Sequence, residues 1–184
     1  AFQQKVLDRY GVKRVEDLPV NYKGLLAVEG ERMTSELFDR HAARLFDTQH
    51  MQAVTLDSFA FVSPLPAIRR LSMAPAQTDL QAYRRFIEQA ERYRYEFVQQ
   101  LNRLQAEAIT YADDTGRDED PVREERTRID SAHWRDVPDF AFTAASPGEI
   151  ARRTLPALGI LLGWSVALVV GLSIAWRRLA RSGS

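Results

Sequence analysis

The feature that most constrains this chain is an uncharged run of 22 residues, Leu155 to Trp176, which ends eight residues before the C-terminus. A helix rises about 1.5 Å per residue, so this run would be about 33 Å long and would cross a hydrocarbon layer of about 30 Å. Uncharged runs of this length are rare in the cores of soluble proteins of this size. Arginines flank it on both sides, and a tryptophan stands at its end, as is common at membrane interfaces: Arg152, Arg153, Trp176, Arg177, Arg178, Arg181. The sequence therefore predicts one membrane-spanning helix.

The start of this helix is predicted by the motif Ser-Pro-Gly-Glu at residues 146–149. Ser146 and Glu149 have the spacing of a capping box, and Pro147 suits the first helical position. We expect residues 146–181 to form a polar collar followed by the span at about 155–176, with 182–184 as a short tail. Pro156 lacks a backbone donor and is expected to bend the helix near the membrane surface.

Small residues recur every fourth position inside the span, at Gly159, Gly163, Ala167 and Gly171. Lipid provides no hydrophobic force between helices, so such stripes often mark places where two helix backbones approach closely. The alternative is that glycine and alanine are simply frequent in membrane helices. We interpret the stripe as a face that packs on other membrane helices.

Residues 1–145 have the charge density of a soluble domain and two long helical patterns, at about 28–62 and 79–111. In both, apolar residues recur at spacings of three and four, which predicts amphipathic helices. Thr78 and Gln81 have capping-box spacing at the start of the second helix. The segment from Ala1 to Tyr10, ended by Gly11, is expected to be a helix that covers part of the apolar surface. The predicted fold is all-α: a long antiparallel helical hairpin outside the cytoplasm, followed by one C-terminal transmembrane helix.

The two long helices are joined by an elbow rich in proline, which contains Arg69, Arg70, Thr78 and Asp79. In the structural interpretation, one arginine pairs with Asp79 or with helix-end carbonyls and holds the hairpin in register. In the alternative, the elbow lies far from the membrane and its arginines contact a cargo or a partner protein. In either case, apolar residues of the elbow are expected to plug the end of the hairpin: Leu65, Ile68, Leu71 and Met73.

The remaining polar stretch, at 112–132, is interpreted as a solvated loop with a helical turn at about 122–129. Its acidic residues do not follow the spacing of a calcium-binding EF-hand loop, because the series Asp113, Thr115 and Arg117 does not place acids at alternate positions followed by glycine. The calcium interpretation is therefore set aside.

No pattern of residues predicts catalysis, a cofactor or a metal. The chain has 25 basic and 25 acidic residues, a balance that argues against nucleic acid as a partner. The absence of cysteine excludes disulfides and thiolate metal sites. His41 and His50 are nine residues apart on one predicted helix and so lie on nearly opposite faces. We predict no catalytic residue, no cofactor and no metal site, and hence a protein that is not itself an enzyme.

Four segments carry a resemblance to a known family: "LDRYGVKRVEDLPVNYKGL", "SPLPAIRRLSMAPAQTDL", "FIEQAERYRYEFVQQLN" and "WRDVPDFAF". In this order, and before a last membrane helix, they resemble the C-terminal part of bacterial ABC-transporter permeases of the type-2, exporter-like kind. Those permeases end in the domain of unknown function 3526. The resemblance covers nearly the whole chain.

The resemblance implies a longer protein, with further membrane helices before Ala1, in the bacterial cytoplasmic (inner) membrane. Residues 1–153 would be extracytoplasmic and the C-terminus cytoplasmic. The implied partners are a separate ATP-binding cassette subunit that hydrolyses ATP, the other transmembrane helices of the same permease, and a second permease copy; no substrate is implied. Two alternatives stay open: a periplasmic helical binding or sensor protein with one span, and a tail-anchored adaptor in the cytosol.

Overall fold

A computed structural model describes residues 1–115 and 137–182, and all the regular secondary structure in this part of the chain is helical. This confirms the predicted all-α class. The α-helices are α1 (Phe2–Tyr10), α2 (Tyr22–Ser58), α3 (Leu65–Met73), α4 (Leu80–Ala108), α5 (Tyr111–Thr115) and α6 (Pro147–Ser182), with 3₁₀ turns at Val15–Asp17 and Phe59–Phe61. Most of the predicted polar loop at 112–132 lies outside the described residues, as do His133 and the last two residues of the tail. The loop's first residues belong to α5.

The helices are distributed over two compact units. The first comprises Ala1–His41 and Gln89–Ala141, and the second comprises Ala42–Glu88 and Phe142–Ser184. Helices α2 and α4 contribute residues to both units, whereas α1 and α5 belong to the first, and α3 and α6 to the second.

In the first unit, α1 and the segment after it form a small apolar core. Gly11 ends α1 in the left-handed conformation, with φ of 68°, as its position in the sequence predicts. The buried residues of this core are Val6, Leu7, Val15 and Leu18. Leu25 of α2 and Tyr111 of α5 pack against it, so α1 does cover part of the hairpin's apolar surface.

Within the same unit, α2 and α4 pair in antiparallel fashion. Three hydrogen bonds join the two segments, and the residue numbers rise along α2 as they fall along α4. The bonds are Asn21 N to Ala106 O at 2.8 Å, Gln99 Nε2 to Val28 O at 3.0 Å, and Arg94 to Glu31 Oε1 at 2.7 Å. Near the first of these bonds the backbones are so close that a Cβ added to Gly24 would lie 2.5 Å from the backbone of Ala106. The predicted antiparallel arrangement is thus present in these segments.

Helix α2 begins six residues earlier than the apolar pattern predicts, because Asn21 caps it. The Asn21 carboxamide oxygen accepts a hydrogen bond from the backbone N–H of Lys23 at 2.9 Å. Its Nδ2 donates to Asp114 at 3.0 Å, and both side chains are buried. At its other end, α2 gives way to the Phe59–Phe61 turn, since Ser63 and Pro64 follow and a proline restricts the backbone before it.

The apolar spacing in α2 selects the buried face only in part. Of the residues that follow this spacing, Ala42, Gln49 and Ala53 are half-buried and Ala60 is buried, whereas Phe38, Leu45 and Leu56 are exposed. Phe46, outside the pattern, is buried and forms an edge-to-face contact with Tyr83 of α4 in the second unit. The proline-rich elbow is itself partly helical. Residues Leu65–Met73 form helix α3, because Pro66 occupies its first turn, where proline is tolerated.

Candidate functional site

The candidate site lies in the second unit, where α3 and the turn before it pack on the start of α6. We call this region the α3–α6 junction, and define it by Ala60, Ala67, Asp79, Arg153, Ala157 and Trp164. Its apolar centre consists of three alanines with almost no exposed surface, Ala60, Ala67 and Ala157, against which Ile160 and Leu161 pack. The small side chains let α3 and α6 approach closely.

Trp164 adds a polar contact to this apolar junction. Its indole Nε1 donates a hydrogen bond of 3.0 Å to the backbone carbonyl of Ala60. That carbonyl lies in the 3₁₀ turn between α2 and α3, where no regular helix bond satisfies it. The contact ties α6 to the elbow at a point nine residues into the uncharged run.

On the polar side of the junction, Asp79 binds Arg153. The guanidinium Nη1 lies 3.0 Å and 3.2 Å from the two carboxylate oxygens, and both side chains are largely buried. The same nitrogen donates to Gln81 Oε1 at 3.1 Å. Asp79 Oδ1 also accepts the backbone N–H of Ala82 at 2.9 Å, so Asp79 is the N-cap of α4.

Two sequence predictions about the elbow are therefore wrong. Asp79, not Thr78, caps α4, because the Thr78 hydroxyl instead lies against the carbonyl of Met73. Neither elbow arginine pairs with Asp79, because Arg153 occupies that carboxylate. Arg70 instead binds Asp57 at the end of α2, at 2.7 Å, so this arginine does join the elbow to a long helix. Arg69 lies against Met73 within α3.

The start of α6 confirms the predicted capping box. The Ser146 N–H donates to Glu149 at 2.8 Å, and the Glu149 N–H donates to the Ser146 hydroxyl at 3.3 Å. Arg85 of α4 also binds Glu149, at 2.8 Å. The backbone hydrogen bond from Ser146, followed by the bond from Arg85, lowers the pKa of Glu149 to about 2. Glu149 is therefore ionised at neutral pH, and its negative charge stabilises the positive N-terminal end of the helix dipole.

Helix α6 is long and apolar enough to cross a bilayer, and only 6% of its most apolar stretch is buried against the rest of the chain. The small-residue stripe contributes nothing to that burial. A Cβ added at Gly159, Gly163 or Gly171 would meet no atom within 4 Å, and Ala167 is exposed. The junction uses a different face of the helix. Packing of the stripe on other helices stays a prediction.

The elbow carries an exposed apolar surface next to the junction. The predicted plug at the end of the hairpin is wrong for Leu65 and Ile68, which are exposed, whereas Leu71 and Met73 are half-buried. Phe59, Phe61 and Val62 extend the same exposed surface. The cause is that α3 turns its buried alanine, Ala67, toward α6 and its larger side chains away.

Beside the elbow is a cleft of about 510 Å³, lined by both polar and apolar side chains. Asp57, Arg69, Arg70 and Asp79 are among its charged residues, and their opposite charges balance. Among residues 1–115 and 137–182, no group of three His, Asp or Glu side chains is arranged to hold a metal ion.

Three residues that hold the start of α6, namely Arg85, Arg153 and Trp164, could not be assigned partners from the sequence. In the sequence, Arg153 is only a flanking charge of the span, while Arg85 and Trp164 carry no signal. Each has a partner more than 60 residues away in the chain, and no local pattern selects such a partner.

The comparisons with known proteins identify the domain. A family model described as Domain of unknown function (DUF3526) matches residues 1–143. The chain belongs to this family. The DUF3526 domain contains α1 to α5, the elbow included, and the match ends just before α6 begins. No curated protein and no solved structure matches the chain.

Proposed function

We propose that this chain is the extracytoplasmic domain and last membrane helix of an ABC-transporter permease of the exporter type. A DUF3526 domain followed at once by a helix able to cross a bilayer is the arrangement expected of such a permease from the resemblance described above. In this proposal the protein lies in a bacterial inner membrane, with residues 1–153 outside the cytoplasm. Three arginines follow the span and two precede it, which favours a cytoplasmic C-terminus.

The observation that carries the proposal is the way α6 joins the domain. Its first turns are held by two ion pairs, Arg85–Glu149 and Arg153–Asp79, and by the alanine contacts of the junction. A tethered binding domain needs only a flexible linker to its anchor. The part of the domain that is bonded to α6 in this way moves with the helix, as a component of a membrane assembly would.

In this proposal the chain has no catalytic role, and ATP is hydrolysed by a separate ATP-binding cassette subunit. The exposed stripe at Gly159, Gly163, Ala167 and Gly171 then packs on other helices of the same permease or on a second copy. The substrate is left open.

Cysteine labelling on intact cells tests the orientation. The chain has no cysteine, so Thr115→Cys and Ser182→Cys each introduce one thiol. A membrane-impermeant maleimide should label Thr115→Cys on intact cells, and Ser182→Cys only after the cells are permeabilised. The reverse pattern would support the tail-anchored adaptor instead, and labelling of both on intact cells would show that α6 does not cross the membrane.

Purification of the complex from native membranes tests the transport assignment. The tagged protein should copurify with a subunit that binds ATP, and the complex should hydrolyse ATP. If the purified protein carries no such subunit while the labelling result holds, the single-span binding or sensor protein becomes the better interpretation.

A further inference from the structure

We propose that residues 58–68, which comprise the Phe59–Phe61 turn and the uncharged first part of the elbow, lie within the hydrocarbon of the membrane beside α6, as a turn that enters and leaves on the same side. The partner of its exposed apolar surface is lipid acyl chain. This inference rests on the proposed function in one respect, namely that α6 crosses a membrane.

The contacts between the elbow and α6 set its depth. Ala60 and Ala67 pack against α6 at Ala157, and the carbonyl of Ala60 binds Trp164. Measured from Leu155 at about 1.5 Å per residue, these two positions lie about 3 Å and about 14 Å into the uncharged run. The outer half of a hydrocarbon layer is about 15 Å thick. If α6 spans the membrane, its contacts therefore place the elbow at the level of the acyl chains.

The side chains of the elbow suit that environment. No residue from Ser58 to Ile68 is charged, a stretch of 11 residues. Phe61 and Val62 are 77% and 75% exposed, and Phe59 and Leu65 are more than half exposed. In water, such a contiguous apolar surface is unfavourable and usually has a partner. Its continuity with the apolar surface of α6 identifies the acyl chains around that helix as the partner.

The backbone of the elbow suits the membrane as well. Lipid offers no hydrogen bonds, so irregular backbone is tolerated there only when its polar groups are paired within the protein. The carbonyl of Phe59 accepts from the N–H groups of Val62 and Ser63, both at 2.9 Å. The carbonyl of Ala60 accepts from Trp164, and the N–H of Leu65 donates to the Ser63 hydroxyl at 3.3 Å. These bonds pair the carbonyls of Phe59 and Ala60 and the N–H groups of Val62, Ser63 and Leu65 within the protein.

Charged residues lie at both ends of the uncharged stretch and come together in space. Asp57 precedes it and pairs with Arg70, which together with Arg69 follows it. All three line the cleft that also contains Asp79, and Asp79 binds Arg153, the last charge before the span. The charges that flank the uncharged stretch thus lie near the end of the polar collar of α6, as they would at a membrane interface.

Fluorescence quenching by lipid tests the proposal in the full chain. Single-cysteine variants Val62→Cys, Leu168→Cys and Thr48→Cys are labelled with an environment-sensitive nitrobenzoxadiazole dye. The labelled proteins are placed in phosphatidylcholine vesicles with and without nitroxide-labelled acyl chains. Leu168 is the control inside the span, and Thr48 is an exposed control on α2. The dye at Val62 should emit at the shorter wavelength seen at Leu168 and lose a comparable fraction of its fluorescence to the nitroxide, whereas the dye at Thr48 should do neither.

The controls separate the ways in which the proposal can fail. If Leu168 is quenched and Val62 emits as in water, the elbow is outside the membrane, and the proposed function is unaffected. If the Val62 emission is shifted but not quenched, another protein surface covers the elbow, and lipid is the wrong partner. If Leu168 is not quenched either, α6 does not span the membrane, and both proposals fail. Phe61→Cys must reproduce the Val62 result, so that a local disturbance at one site cannot decide the outcome.

Discussion

Replacing Gly24 with alanine should push α2 and α4 apart where they approach most closely. The added Cβ would lie 2.5 Å from the Cα and the nitrogen of Ala106, whereas carbon atoms in contact are normally about 3.5–4.0 Å apart. One helix must therefore move by about 1 Å. It cannot do so freely, because the Asn21 N–H is bonded to the Ala106 carbonyl at 2.8 Å.

The expected loss of stability follows from two opposing contributions. Overpacking costs about 1–3 kcal/mol, and a clash with backbone belongs at the upper end of that range. Alanine is favoured over glycine by about 1 kcal/mol inside a helix, and by less in the first turn, where Gly24 lies. We expect Gly24→Ala to lower the free energy of unfolding by about 2 kcal/mol.

Gly30→Ala is the matched control, because it makes the same change in the same helix. A Cβ at Gly30 would meet no atom within 4 Å, so only the gain of about 1 kcal/mol in helix preference remains. The two substitutions should therefore change the stability in opposite directions, although each replaces one glycine of α2 with alanine.

Thermal unfolding followed by far-ultraviolet circular dichroism, in the same detergent for all three proteins, measures the difference. For a chain of this size, each kcal/mol shifts the midpoint by about 2–4 °C. Gly24→Ala should melt about 4–8 °C below the unmodified protein, and Gly30→Ala about 2–4 °C above it. A Gly24→Ala midpoint at or above that of the unmodified protein would refute the close approach of α2 and α4.

Three further predictions concern the start of α6 and its free face. Asp79→Asn and Arg153→Gln should each lower the free energy of unfolding by about 2 kcal/mol, because each removes a charged hydrogen-bond partner. The double substitution should lower it by less than the sum of the two single losses. Additive losses in denaturant unfolding would contradict the ion pair. The Glu149 carboxylate should stabilise the protein above about pH 5 and lose that effect as the pH falls toward 2, because folding lowers its pKa from 4.5 to about 2. The midpoints of the unmodified protein and Glu149→Gln, measured against pH, should therefore differ by a constant amount above about pH 5 and converge below it; parallel curves down to about pH 2 would argue against the capping bonds. Gly163→Leu should prevent assembly with other membrane helices on size-exclusion chromatography, whereas Leu172→Ile, about 180° away around the helix, should not; assembly of both would mean that the stripe faces lipid.

Most features that depend on a few neighbouring residues could be predicted from the sequence, although the cap of α4 is Asp79 and not the predicted Thr78. The capping box at Ser146 and the end of α1 at Gly11 are both local arrangements, and both are present. The helical class follows from the same kind of signal, because spacings of three and four residues define a helix without reference to its partners.

The buried faces and the long-range pairs could not be predicted in this way. The apolar spacing in α2 includes Ala42 and Ala53, which are half-buried, but also Leu45, which is exposed, and the residue buried against α4 is its neighbour, Phe46. Apolar residues occur on adjacent faces of that helix, so the choice between them depends on its partner. Likewise, Asp79 has several arginines of suitable charge in the sequence, and only the packing of α3 on α6 brings Arg153 to it, from 74 residues away.

Asp79 serves two helices with one carboxylate. It caps α4 through Ala82 and holds the last charge of α6 before the span. A displacement of α6 along its axis by more than the reach of a hydrogen bond must either break this link or pull on the first turn of α4. The Asp79 carboxylate is thus a mechanical coupling, through which a force applied to α6 is transmitted to α4.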